Sequence, residues 1–524
     1  TQSPSVKSGE KSKNAFLAAT ALVNSSVQRA IGEAAARNAI SLPGISDIAR
    51  ADQDAKSELV FLKQYISESA QKAEVTNPQI ISAMHTRIAE LEKIRKEFKL
   101  RIEKDFPDYY QLLQPKIPSS DEVSKALKPG EYFVAIVPVE AATYVFGLSP
   151  DGSLHFTKSD ISQNKISESV KNIRKTLDVA GMGVRAPKFR HDESYSLYQK
   201  LLEPQRPFMS GASHLIIATN GSLGQIPFAV LLTKPLKNDD EKDAAWLIKE
   251  QAISHISSPQ AWLALRKLAI NKGQQETFIA WGDPLFTSNK ASNQLSNKVA
   301  RAEIVRSIRS ADLSQPRIDP VLYNNLPSLP ETRDEVLALA KLLKSDLNQD
   351  VFLGKNATRQ SVIQASDSGR LKQKRIIVFA THGLLAGDLP QLTQPALAMA
   401  APENSNDSPL LTLQDVLDLK LNADWVILSA CNTAGADGRS EEALSGMARG
   451  FFYAGARSLL VTHWSVESES AMMITTETLK DYEASQNSSR AQSLRKGMLK
   501  VMSDERYSHP AFWAPYAIVG EGAR

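Results

Sequence analysis

A histidine and a cysteine, each closing its own apolar run, are the residues of this chain best suited to chemistry. The first run reads Arg375-Ile-Ile-Val-Phe-Ala-Thr-His382-Gly383, and the second Asp424-Trp-Val-Ile-Leu-Ser-Ala-Cys431-Asn432. Each is a short β-prone stretch that delivers one reactive side chain into a Gly- or Asn-bearing turn. In an open parallel α/β sheet the strand C-termini lie side by side, and ligands bind just beyond them. A thiol and an imidazole delivered there are the minimum kit for nucleophilic catalysis. The thiolate is the nucleophile, and a free cysteine is only slightly ionised at neutral pH. A neighbouring histidine takes its proton and later returns one to the leaving amine. Backbone N–H groups at Gly383 and Cys431 would then hold the developing oxyanion, and Gly383 lets the chain approach a substrate with no side chain in the way. Taken singly, a cysteine closing a buried strand is an ordinary small core hydrophobe and a His-Gly pair an ordinary turn. The pairing on two strands is what argues for chemistry.

The surrounding elements read as α/β. From about Asn14 to Lys104 the pattern is helical, with Phe16, Ala19, Val23, Val27 and Ile31 at three- and four-residue spacing. A second helix carries Leu59 and Leu62, and a third follows Asn77-Pro78 with Met84, Ile88 and Leu91, together making an antiparallel helical arm. Strands are predicted at Tyr132–Val137, Thr143–Gly147, Leu154–Thr157, Leu215–Ala218 and Thr277–Trp281. A helix over Glu331–Lys344 opens the half that holds the reactive pair. The boundaries expected are a helical arm over 1–118, a first α/β half over 119–329 and a second over 330–524. Ile216-Ile-Ala-Thr-Asn220-Gly221 echoes Val378-Phe-Ala-Thr-His382-Gly383, which would make the first half a degenerate copy with asparagine at the histidine position.

At 524 residues the chain has room for more than one domain. Its apolar (42%) and charged (23%) fractions are those of globular proteins, so a sizeable core can form. A net charge of +4 over this length gives no reason to invoke nucleic acid, and no apolar run is long enough to span a membrane. The one cysteine excludes an intrachain disulfide and a cysteine metal cage, and it favours a reducing, cytoplasmic compartment. With eight histidines scattered singly and no Gly-x-x-x-x-Gly-Lys phosphate loop, neither metal nor cofactor is expected. The opening at Thr1 implies a processed or truncated product.

Phe379-Ala-Thr-His-Gly-Leu-Leu385, Val426-Ile-Leu-Ser-Ala-Cys-Asn-Thr433, the stretch Leu444–Ala456, Val461-Thr-His-Trp464 and the closing His509-Pro-Ala-Phe-Trp-Ala-Pro-Tyr516 resemble the CHAT family. This is the caspase-like domain associated with tetratricopeptide repeats. Leu127-Lys-Pro-Gly-Glu131, Asn220–Phe228 and Leu329-Pro-Glu-Thr-Arg333 also resemble it, so the similarity covers about 119–520. Cys431 follows His382 by 49 residues, close to the roughly 50 that separate the pair in caspases, although the caspase Gln-Ala-Cys is Ser429-Ala430-Cys431 here.

The resemblance implies a caspase-like parallel-sheet core made of an inactive half buttressing an active one. It also implies a cysteine endopeptidase related to caspases and separase, with His382 as base and Cys431 as nucleophile. Gly435–Glu442 would be its mobile loop. Trp464, Ser465, Val466 and Glu467 would border a groove for an extended peptide. Separase-like relatives carry Trp-x-Val-x-Asp here, the acid facing a basic residue before the cut. This chain has Ser468 at the acidic position, so Glu467, Glu469 or Asp388 would have to supply the charge. Upstream tetratricopeptide repeats or a regulatory partner are expected to gate a protein or peptide substrate. The alternative is a catalytically silent CHAT-type interaction module that kept the fold and lost turnover.

Overall fold

Near-continuous apolar runs become interior strands in the computed structural model, as expected for strands covered on both faces. The structure describes residues 4–22, isolated positions from 55 to 62, 78–105, 117–178, 187–267 (without 220, 237–240 and 242), 276–287, 323–429 (without 325, 385–388, 390, 391, 393 and 403–406) and 446–524 (without 465 and 486). Two compact units result: Thr1–Ile31 with Ile117–Arg524, and Gly32–Lys116.

The named helices are α1 (Pro4–Leu22), α2 (Pro78–Asp105), α3 (Gln163–Arg174), α4 (His191–Leu201), α5 (Pro259–Lys267), α6 (Pro330–Leu342), α7 (Arg359–Asp367), α8 (Gly446–Ala454), α9 (Ser468–Ala484) and α10 (Arg490–Met502). The strands of the large sheet are β1 (Glu131–Pro138), β2 (Thr143–Leu148), β3 (Leu154–Ser159), β4 (His214–Ala218), β5 (Ala252–Ile256), β6 (Glu276–Pro284), β7 (Val351–Gly354) and β8 (Lys374–Ala380). After β9 (Gly383–Leu384), β10 (Ala396–Ala398) and β11 (Leu410–Thr412), which form a small separate sheet, come β12 (Trp425–Ser429), β13 (Ser458–Thr462) and β14 (Tyr516–Gly520).

Among the described residues, eleven strands make one sheet in the order β3-β2-β1-β4-β5-β14-β13-β12-β8-β6-β7. Neighbours run parallel except β1–β2, β2–β3 and β13–β14. The fold is thus a mixed α/β architecture around a large, mostly parallel sheet. β8 shows how the alternation of side chains serves both faces. Ile376, Val378 and Ala380 enter one core with Val336 and Leu339 of α6, Ile474 of α9 and Leu494 of α10. Ile377 and Phe379 enter the other core, with Phe16 of α1, Trp262 of α5, Val362 of α7 and Phe451 of α8. On that face Trp281 lies stacked between Phe352 and Phe379, each at 5.1 Å, and its indole N–H donates to Ser361.

In the larger unit, α1 packs through Phe16 edge-on against Phe146 of β2 at 5.6 Å. In the smaller unit, Met84, Ile88 and Leu91 of α2, at helical spacing, pack with Ala55, Leu59 and Leu62. No helix among the described residues is long and apolar enough to cross a membrane.

Candidate active site

The register of the central strands sets the site. β8 and β12 pair in parallel from Ile376–Trp425 to Ala380–Ser429, and β6 aligns Gly282 with the same Ala380. Three strands therefore end together at one edge of the sheet. Beyond β8 the chain passes into the small sheet. The Thr381 hydroxyl donates to the Ala398 carbonyl, the Ala398 N–H donates to the His382 carbonyl at 2.9 Å, and Gly383 pairs with Leu397. His382 thus sits at the junction of the two sheets, backbone-anchored on one side.

Its half-buried ring is held from the other side. Phe286, just past β6, packs against it with centroids 5.4 Å apart, and Nε2 donates to the Pro327 carbonyl at 2.8 Å. A carbonyl oxygen can only accept, so this bond puts the hydrogen of the neutral ring on Nε2 and leaves Nδ1 as its basic nitrogen. Phe286 belongs to a small apolar cluster with Tyr323, Leu384 and Ala398, which ties the ring's support to the small sheet.

Cys431 lies outside the described residues, as do Asn220, Asp388, Ser465 and the expected loop at Gly435–Glu442. Its strand is described to Ser429, two residues short of it. Of the remaining groove candidates, Trp464 is fully covered in the core and its indole N–H donates to the Ala511 carbonyl at 2.9 Å. Val466 is half-buried and packs on the same core. Glu467 caps α9, accepting from the backbone N–H groups of Glu469 and Ser470. Glu469 in turn accepts from Arg506 and from the Tyr507 hydroxyl. His463 is buried, and burial, reinforced by His255 and Arg174 nearby, pushes its pKa well below the ordinary range. His509 caps a short helix, with Nδ1 accepting from the Ala511 N–H. Among the described residues no group of three His, Cys, Asp or Glu side chains could hold a metal.

One acid at this edge was not singled out from sequence. Glu335, in α6, is 3% exposed and accepts from the hydroxyls of Ser429 (3.1 Å) and Thr475 (2.9 Å). Ser429 shares a further 2.9 Å bond with the Tyr516 hydroxyl. Burial raises the Glu335 pKa to about 7, against the pull of those two hydroxyls. The signal was present in the sequence: Glu335 stands four residues before Leu339, at the head of the apolar face that Val336, Leu339 and Leu343 form. An acid on such a face needs partners.

Comparison with known proteins adds the family. The CHAT domain model matches residues 192–521. Tetratricopeptide repeat protein 28 of Mus musculus is 27% identical over 227 residues, which is 37% of this chain and 9% of that protein. The Homo sapiens protein of the same name is 22% identical over 379 residues, 65% of this chain and 13% of its own length. The chain therefore spans only a small part of these relatives. Among solved structures, a chain of the Saccharomyces cerevisiae separase–securin complex aligns with a TM-score of 0.44 at 9% identity, over 92% of this chain and 37% of its own. The Arg-specific cysteine proteinase gingipain R aligns with a TM-score of 0.35 at 10% identity, over 69% of this chain and 75% of its own. With more than half of its residues inside the family match, the chain belongs to the CHAT domain family.

Proposed function

We propose that this chain is a cysteine endopeptidase in which His382 is the base and Cys431 the nucleophile. The observation that carries the reading is the fixed ring of His382 beside the end of β12. Ala380 and Ser429 are register partners, and His382 and Cys431 each follow their partner by two residues. Two residues of chain reach at most about 7 Å, a span that lets the proposed pair meet at the ends of β8 and β12.

In the proposed reaction the Cys431 thiol gives its proton to Nδ1 of His382, and sulfur attacks the scissile carbonyl. The tetrahedral intermediate collapses with cleavage of the C–N bond, and the amine leaves with the proton from His382. Water, deprotonated by the same nitrogen, then hydrolyses the thioester to a carboxylic acid and restores the thiol. The Gly383 and Cys431 N–H groups are the oxyanion donors. Gly383 suits the role because the Ala398-to-His382 bond makes Gly383–Leu397 the non-hydrogen-bonded pair of the ladder, with the Gly383 N–H turned away from β10.

An extended protein or peptide segment is the substrate. Val466 and Ser465 would border it, whereas Trp464 supports the groove from within the core. Glu467 and Glu469 are spent on a helix cap and on Arg506 and Tyr507. Asp388 is then the remaining acid for a basic side chain at the cut. The curated relatives are named for tetratricopeptide repeats, and such repeats upstream would serve to gate the enzyme. The division proposed with this reading is an arm over 1–118, a buttressing half over 119–329 and an active half over 330–524, with α1 packed on the larger unit.

Digestion of a diverse peptide library, read by mass spectrometry for the wild type, Cys431→Ala and His382→Ala, tests this. Cuts made by the wild type and lost in both variants support it. Silence in all three, together with a Cys431 that alkylates no faster than free cysteine, would replace it with the catalytically silent interaction module.

A further inference from the structure

The Glu335 cluster does nothing in the reaction just described, yet it sits directly behind the strand that leads to the nucleophile. We propose that Glu335 is a positioning residue: through the Ser429 hydroxyl it sets the orientation of the β12 end from which Cys431 follows. This deepens the cysteine-peptidase reading and rests on it.

The geometry links four elements through one side chain. Glu335 lies on α6, Thr475 on α9, Ser429 at the last position of β12 and Tyr516 at the first position of β14. The carboxyl takes one hydroxyl on each oxygen, Ser429 on Oε2 and Thr475 on Oε1. For packing alone, a buried carboxyl without a cation is a poor choice, since an apolar side chain of similar volume avoids the desolvation cost. Charged groups on the neighbouring elements are engaged elsewhere: Asp283 with Arg333, Lys374 with Asp350 and Glu276, and Glu477 with Lys480. Among the described residues, Tyr516 is the titratable group bonded to the cluster, through Ser429.

The cluster has one hydrogen-bond arrangement when ionised and two when neutral. With the carboxylate ionised, both hydroxyls must donate to it, and Tyr516 donates to Ser429. With the acid neutral, its own O–H donates to one hydroxyl. If that is Thr475, its proton turns to the Ala471 carbonyl at 3.1 Å; if Ser429, its proton turns to Tyr516. In the arrangement where the acid donates to Ser429, protonation of Glu335 redirects the hydroxyl that anchors the β12 end. Burial brings this change close to neutrality.

The test uses the full chain, in which Cys431 is the one cysteine, so alkylation by iodoacetamide reports a single site. Alkylation rates are measured from pH 5.5 to 9 for the wild type, Glu335→Gln, Ser429→Ala and His382→Ala, with melting temperatures in parallel. The wild type is expected to show an inflection near pH 7 besides that of the thiol. Glu335→Gln, fixed in the neutral arrangement, should lose it and diverge from the wild type above pH 7 by about 10-fold, short of the ~100-fold cost of a full ångström of misplacement. Ser429→Ala should lose the same inflection and keeps the test open if Glu335→Gln melts early. A wild-type profile reproduced by Glu335→Gln, or by Ser429→Ala if the former is unstable, overturns the proposal. His382→Ala separates the two readings. If it leaves the rate unchanged, the Cys/His pairing itself fails; if it slows labelling while the other variants do not, only the role of Glu335 fails.

Discussion

Nε2 of His382 is 2.8 Å from the carbonyl oxygen of Pro327, and that bond decides which ring nitrogen can act as a base. In NMR spectra of imidazole-labelled protein with the ring neutral, His382 is expected as the Nε2–H tautomer, with Nδ1 unprotonated. A dominant Nδ1–H form would mean that the Pro327 contact does not persist in solution.

The ring also leans on Phe286, in a cluster that includes Tyr323 and Leu384. Phe286→Leu keeps apolar volume but loses the flat surface that orients the imidazole. On a peptide substrate found in the library screen, kcat should fall by about 10-fold with KM little changed, because the defect lies in alignment for proton transfer. An equal fall in binding would show that Phe286 touches substrate instead.

Glu335 also makes stability depend on pH, in the direction opposite to an ion-paired acid. Its folded pKa, about 7, lies above the ordinary 4.5, so the folded state holds the proton longer. Its contribution is complete below pH 4.5, declines as pH rises to 7 and then levels off, a loss of roughly 3 kcal/mol. Denaturant titrations should show Glu335→Gln flattening that decline. A variant with an unaltered slope between pH 4.5 and 7 would contradict the neutral buried acid.

At the opposite end of the strands, Glu131 behaves in the reverse sense. Burial disfavours its charge, but hydrogen bonds from His214 and Arg266 outweigh this and hold the pKa at about 2. Its stabilisation is present above pH 4.5 and is lost as pH falls towards 2. Arg266 also pairs with buried Glu521 at 2.6 Å. Arg266→Met leaves two acids without their cation and should cost ~3–5 kcal/mol at neutral pH, measured by chemical denaturation.

The stacked trio of Phe352, Trp281 and Phe379 ties β6 to both neighbours. Trp281→Ala should cost ~3–5 kcal/mol. Trp281→Phe, which keeps a ring and loses the Ser361 bond, should cost nearer ~1 kcal/mol. Similar losses in both would place the energy in the hydrogen bond.

The strands carrying the reactive pair were legible because both faces of the central sheet are covered, so Ile376–Ala380 and Trp425–Leu428 read as unbroken apolar runs. β5 escaped notice because Ser254 and His255 interrupt it; Ser254 is buried against His214 at 2.9 Å, a partner supplied by another strand. The partnership of β14 with β5 and β13 is equally non-local, and no local pattern announces it. Trp464 reads from sequence as a groove aromatic, since a tryptophan at a strand end looks the same whether it faces solvent or, as here, reaches Ala511 inside the core. The Pro327–Glu335 stretch carries a recognisable motif. Its use, with the Pro327 carbonyl on His382 and Glu335 on Ser429, emerges only when two strand ends meet it in space.

β14 lies between β5 and β13, so the middle of the sheet is completed by residues 516–520. During synthesis, the strands on either side leave the ribosome long before their common neighbour does. Until it arrives, each flank presents a bare row of backbone donors and acceptors, open to pairing with another nascent chain. The assembly of this sheet is therefore gated by the last of its described strands to emerge, and a chaperone that shields those two flanks would act on the interval that matters most for yield.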